Sequence, residues 1–305
     1  MELHFETWAR GGADLHGLGQ SRSGAVYAVS RQTGEVLQVD EESSMTPPFA
    51  LVAVASTGGV PSGIAFDDDG VGFVTDVAHQ AVLTLTRDVS AAAADQDGGA
   101  APVDSVAEFV REYEEKQFLG PNSLVFDKDG TLYFTDSGPP GETTLADRKG
   151  SVFSVTADGQ LLRPLALSCL AHPSGLALSK NHAQLFVAET LANRVLRYVQ
   201  RPAGVFHASV FVQLAGGLGP TALATDPDTG NLFVGHFDFA AEDADDAQPG
   251  RVSVFSPAGK LLAEVDFPAP EITAMAVLSS SDGKHLYVTE ATTCSIYRAK
   301  LPEAM

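Results

Sequence analysis

PNSLVFDKDGTLYFTD, residues 121–136, alternates apolar and polar side chains on both sides of an Asp-Gly turn, the pattern of a β-hairpin with one buried face. The phrase returns as PSGIAFDDDGVGFVTD (61–76), PSGLALSKNHAQLFVAE (173–189), PTALATDPDTGNLFVGH (220–236) and ITAMAVLSSSDGKHLYVTE (272–290). A decayed copy, HGLGQSRSGAVYAVS, stands at 16–30. The residues that close the copies, Ser30, Asp76, Asp136, Glu189, His236 and Glu290, recur every 46 to 60 residues, a longer and looser interval than solenoid repeats use.

A second pair of strand-like runs follows each hairpin. SVFSVT (151–156) and LLRPLAL (161–167) follow Asp136; RVLRYVQ (194–200) and VFHASVFVQL (205–214) follow Glu189. Four short strands per repeat make a propeller blade, because a lone four-stranded sheet leaves two apolar faces bare until neighbours cover them. The expected fold is all-β: a six-bladed β-propeller with four antiparallel strands per blade. The last copy ends at SIYRAK (295–300), only its third strand, so LHFETWA (3–9) is expected to supply the outer strand and close the ring. No linker separates the repeats, and residues 1–305 read as a single domain.

Composition narrows the partners. With 39 acidic and 19 basic residues, the net charge of −20 repels phosphate backbones, so no nucleic-acid partner is expected. The opening MELHFETWARGG lacks the basic-then-apolar pattern of a leader, and no run approaches membrane-spanning length, so the expectation is a cytoplasmic protein without a membrane partner. Cys169 and Cys294 lie in different repeats without metal-type spacing and read as idle thiols. A low-complexity stretch (87–102) reads as a surface loop, and an acidic insert (237–250) as a solvated run that could attract cations or a basic partner.

Strand order sorts the loops. The Asp-Gly turns share one end and are punctuation; an EF-hand reading of DKDG fails because a strand follows at once without the closing Glu. At the other end, the positions after the recurrent proline should ring the channel: His16, Ser62, Asn122, Ser174, Thr221 and Thr273. Loops there add Asp76, His79, Asp136, His172, Glu189, His236 and Glu290. The concave mouth so formed is the default ligand site. The recurring closing acids read as structural, binding backbone amides in each repeat.

GPNSLVFDKDGTLYFTDSG, HPSGLALSKNHAQLFVAETLANRVLRY and LYVTEATTCSIYR resemble the regucalcin (senescence marker protein)/gluconolactonase/luciferin-regenerating enzyme family of six-bladed propellers. The resemblance covers roughly the whole chain and is strongest over 120–298. It implies a divalent-metal-dependent hydrolase, often calcium-dependent, acting on lactones or organophosphates. In that family the channel metal is held by a Glu from the first blade, Asn residues from the third and fourth, and an Asp from the fifth that also serves as base or nucleophile. Carried over residue by residue, Asn122 matches, whereas Ser174 stands for the second Asn, Thr221 for the Asp and His16 for the Glu. No carboxylate remains in the inner ring, which makes a poor cage for a hard cation. Zinc on His16, His79, His172 and His236 would suit imidazole chemistry, but the spacing follows no recognised ligand pattern.

Two functions follow. The first is a non-catalytic module that binds a small molecule or a protein at the channel rim, with Ser62, Asn122, Ser174, Thr273, His172 and His236 as ligand-binding residues. The alternative is a metal-dependent lactone or ester hydrolase, in which His16 and Thr221 hold the catalytic positions, Asn122 and His16 the metal, and His16 acts as general base.

Overall fold

Each copy of the phrase forms two antiparallel strands in the register its alternation predicts, as in Leu124 opposite Phe134, Val125 opposite Tyr133 and Phe126 opposite Leu132. The computed structural model describes residues 3–86, 105–139, 141–201, 204–240, 249–280 and 282–302. The low-complexity stretch 87–102 and most of the acidic insert, 241–248, lie outside the described residues.

The chain opens with β1 (Glu6–Arg10), followed by β2 (His16–Gln20), β3 (Val26–Val29), β4 (Glu35–Asp40) and β5 (Phe49–Ser56). Next come β6 (Pro61–Phe66), β7 (Gly72–Asp76), β8 (Ala81–Thr86) and β9 (Ser105–Val110), which pair in that order as a four-stranded sheet. A small hairpin of β10 (Glu112–Tyr113) and β11 (Lys116–Gln117) leads into a second such sheet of β12 (Pro121–Phe126), β13 (Leu132–Asp136), β14 (Gly150–Val155) and β15 (Leu162–Leu170). A third holds β16 (Pro173–Leu178), β17 (Gln184–Glu189), β18 (Arg194–Gln200) and β19 (Phe206–Gln213). A fourth holds β20 (Gly219–Thr225), β21 (Leu232–Phe237), β22 (Gly250–Phe255) and β23 (Leu261–Phe267). The chain ends in β24 (Ile272–Ser280), β25 (Gly283–Glu290) and β26 (Ser295–Lys300).

The N-terminal strand acts as the sequence predicts, though it starts three residues later than the apolar run: β1 pairs antiparallel with β26. It also makes a short parallel pairing with β5, which the repeats do not foretell. One eight-stranded sheet results, β2-β3-β4-β5-β1-β26-β25-β24, joining the two chain ends. Trp8 explains the join. It is buried between these halves, edge-on to Phe49 at 5.8 Å and to Tyr287 at 4.7 Å between ring centroids.

The core is shared between sheets. Phe73 and Val82 of one sheet pack with Leu124, Phe134 and Phe153 of the next, and Ala177 and Phe186 with Leu223, Leu232 and Val234. The first strands lie side by side around an axis: β2 against β6, β6 against β12, β12 against β16, β16 against β20, β20 against β24 and β24 against β2. The architecture is all-β and of the propeller type. Among the described residues no helix is long and apolar enough to cross a membrane.

Candidate functional site

A ring of first strands crowds backbone against backbone, and small polar residues at their starts and at the ends of the second strands bond across it. The Thr75 hydroxyl donates to the Asn122 carbonyl at 2.8 Å, Thr135 to Ser174 at 2.8 Å, Thr221 to Ile272 at 2.6 Å and Thr273 to Leu15 at 2.7 Å. Thr190 donates to the Pro220 carbonyl at 2.8 Å and shares a 2.7 Å bond with the Ser174 hydroxyl. Apart from the Ser174–Thr190 bond, each ties one repeat to the next. No such bond forms at the seam between β2 and β6 among the described residues, where Val29 occupies the position of Thr75; there the Ser62 hydroxyl is buried without a partner.

The acids that close the second strands are structural, as the recurrence predicts. Asp76 accepts the Val60 and His79 amides, Asp136 those of Gly120 and Leu119, Glu189 that of Ala171, and Glu290 those of Glu271 and Thr293. Each carboxylate thereby fixes the entry of its own first strand and satisfies buried or partly buried amides there. The first repeat swaps the parts. Ser30 stands at the strand end, and its hydroxyl donates to Asp14 in the entry loop at 2.9 Å; Asp14 also accepts the Gln32 amide at 2.9 Å.

That swap leaves the second oxygen of Asp14 for His16, whose Nε2 lies 3.2 Å away. A carboxylate only accepts, so at neutral pH the ring carries its proton on Nε2 and leaves Nδ1 unprotonated and, among the described residues, without a hydrogen bond. Burial lowers the His16 pKa, the Asp14 hydrogen bond raises it, and the charge of Arg31 lowers it again, with a net fall. Burial raises the Asp14 pKa, but bonds from His16, Gln32 and Ser30 outweigh that and hold it at about 2.

A channel cavity of about 470 Å³ runs along the first strands. Of the six positions expected to ring the channel, Ser62, Asn122, Thr221 and Thr273 line it together; His16 is not among its lining residues, and Ser174 is buried behind Gly175, its hydroxyl turned into the seam. The Asn122 side-chain amide makes no hydrogen bond among the described residues. His236 is 5% exposed, with its Nε2 on the Ser253 hydroxyl at 2.8 Å and its Nδ1 receiving Arg251 at 3.1 Å. His79 holds the Thr57 carbonyl. His172 adopts a positive φ of 56°, and burial, reinforced by the charge of Arg31, pushes its pKa down to about 4.

Arg31 is the residue that the repeats conceal. It directly follows Ser30, at the position of Val77, Ser137, Thr190, Phe237 and Ala291 in the other copies. A lone cation in that register is the available signal. Its guanidinium makes no hydrogen bond or ion pair among the described residues, and burial lowers its pKa, with the charges of Asp14 and Asp76 acting the other way.

A calcium cage does not fit this ring. The Thr221 and Ser174 hydroxyls are committed to the seams and His16 to Asp14, which leaves the Asn122 side-chain oxygen and the buried Ser62 hydroxyl as uncommitted neutral oxygens of the ring. Among the described residues no three His, Cys, Asp or Glu side chains converge where a metal ion would sit. Calcium affinity is set by the charge and number of oxygen donors, and both are short here.

Residues 52–292 match the family model described as the SMP-30/Gluconolactonase/LRE-like region. Lactonase drp35 from Staphylococcus aureus (strain MW2) is 26% identical over 271 residues, covering 86% of this chain and 74% of that protein. Gluconolactonase from Zymomonas mobilis is 32% identical over 170 residues, 50% of this chain and 43% of that one. The fold matches that of a gluconolactonase from Xanthomonas campestris, with a TM-score of 0.74 at 20% identity, over 98% of this chain and 90% of that one.

Proposed function

The chain belongs to the SMP-30/gluconolactonase/LRE-like family, and on that premise we propose that it is a six-bladed propeller whose channel mouth binds a small polar organic molecule without a calcium cage. The count of six rests on splitting the eight-stranded sheet at its parallel β1–β5 join into two four-stranded blades. One observation carries the binding reading: Ser174, Thr221 and Thr273 spend their hydroxyls on the seams, which leaves the Asn122 amide and the His16 Nδ1 to meet a ligand. The single domain is cytoplasmic; Cys169 is an exposed free thiol, which suits a reducing compartment. Thermal denaturation tests the metal part. Added calcium, manganese or a chelator leaves the midpoint unchanged, and a rise of several degrees with calcium would refute the reading.

The Asp14–His16 pair favours a second reading, hydrolysis of a lactone or ester by His16 as general base. The Nδ1 of His16 would take a proton from water as the water oxygen bonds to the carbonyl carbon. Asp14 would stabilise the imidazolium, and collapse of the tetrahedral intermediate would break the carbon–oxygen bond, the proton passing to the leaving alkoxide. Because burial lowers the pKa of His16, kcat/KM would stay high down to mildly acid pH and fall below it. No turnover across a lactone and arylester panel, or turnover unchanged in His16→Ala, removes this reading and leaves the first.

A further inference from the structure

We propose that Arg31 is the anchor for an oxyanion, the carboxylate or phosphate group of a small molecule held at the channel mouth. The inference rests on the small-molecule reading of the channel and names the class of ligand.

Position comes first. His16 at the start of β2 pairs with Val29 at the end of β3, and Arg31 lies two residues beyond Val29. Its neighbours on both sides are fastened to Asp14, Ser30 through its hydroxyl and Gln32 through its amide, so the backbone that carries Arg31 is pinned at the channel end. The side chain is half-buried, and its charge acts on His16 beside it and on His172 at the entry to β16. The first strands that follow β2 around the axis are β6, β12 and then β16, so His172, on which the charge of Arg31 acts, stands across the axis from it.

Among the described residues the guanidinium has no hydrogen-bonding or ion-pair partner. The nearby acids are engaged elsewhere, Asp14 by Ser30, Gln32 and His16, and Asp76, through Oδ1, by the Val60 and His79 amides; their charges favour the Arg31 cation, but no carboxylate among the described residues, Asp76 with its free Oδ2 included, forms an ion pair with it. A half-buried cation that makes no direct ion pair keeps its planar fork of donors free, and that fork matches a carboxylate or phosphate. Both neighbouring imidazoles are held neutral by burial, so Arg31 supplies the standing positive charge of this mouth in a molecule of net charge −20. The first seam is also under-bonded. Among the described residues Ser62 Oγ and Asp76 Oδ2 are both buried without partners beside it, where every other seam described carries a hydroxyl-to-carbonyl bond.

The test uses the full chain and three probes: D-gluconate, inorganic phosphate and neutral D-glucose. By calorimetric titration, gluconate or phosphate binds and glucose of similar size binds at least about tenfold more weakly, the gap expected of a charge-assisted pair. Which anion binds tighter decides between a carboxylate and a phosphate ligand. Arg31→Gln loses at least about tenfold in anion affinity, and Arg31→Lys, which keeps charge but not the fork, falls between. Should the glutamine variant not fold, phenylglyoxal labelling of the native chain gives the answer by peptide mass spectrometry: Arg31 is modified, and gluconate or phosphate protects it while glucose does not. Equal binding of glucose and gluconate, undiminished in Arg31→Gln, overturns the anchor and leaves the channel reading standing. No anion binding and no protection of Arg31, with glucose also unbound, overturns both.

Discussion

Asp136 shows how one residue of the closing set behaves. Burial pushes its carboxyl up to about 6, against the pull of the Gly120 and Leu119 amides. A pKa raised above the unfolded value near 4 means that the folded state binds the extra proton, so this contribution is fully present below about pH 4 and is lost as pH rises through about 6. Relative to Asp136→Asn, which does not titrate, the native chain is expected to lose on the order of 3 kcal/mol between pH 4 and 7. Urea unfolding of both chains at several pH values measures it, and a pH-independent difference would disprove the assignment. Glu189 is fully buried with Arg194 at 2.6 Å, so Glu189→Ala strands both that cation and the Ala171 amide; a loss of about 3 kcal/mol is expected in the same assay. The recurrence of these acids in the phrase made their role legible from sequence. Arg31 was not, because the first copy is decayed and its function depends on Asp14, a residue outside the repeated phrase.

At the scale of the strand, the phrase carries two kinds of information. Alternation gave the hairpins and their register, since a one-residue slip would turn each apolar face outward. The small residues after each proline resemble ligand positions in sequence, yet most are seam residues, and a hydroxyl that binds a metal cannot be told from one that binds a neighbouring carbonyl without the neighbour in place. Gly175 makes the crowding measurable. A Cβ there would sit 2.5 Å from the Thr221 carbonyl oxygen, which is backbone of the adjacent strand and has no rotamer to yield. Gly175→Ala is therefore expected to lower stability by about 1–3 kcal/mol through strain between β16 and β20. Thermal melts of the variant decide it, and an unchanged midpoint would show that the strands can part.

The whole molecule depends on joining its ends. Sheets within the ring are each one continuous stretch of chain, whereas the join recruits β1 from the opposite terminus, a contact of high sequence separation that must form against a large loop-closure entropy. What holds it is specific: the β1–β26 ladder, the ion pair of Arg298 with Glu6 at 2.7 Å, two parallel pairings of Ala9 and Arg10 with Phe49 and Ala50, the Thr273 bond to the Leu15 carbonyl, and Trp8. Trp8 is the chain's single tryptophan, so its fluorescence reports the join and nothing else. The two-residue parallel pairing is a weak ladder beside the full antiparallel sheets, and the join is expected to open first on denaturation. Tryptophan emission should then shift at a lower urea concentration than the far-ultraviolet circular dichroism of the sheets, and Trp8→Phe, which removes part of the wedge, should widen that gap when the join is followed by hydrogen exchange in β1. Coincident fluorescence and dichroism transitions would mean that the ring opens and unfolds as one unit.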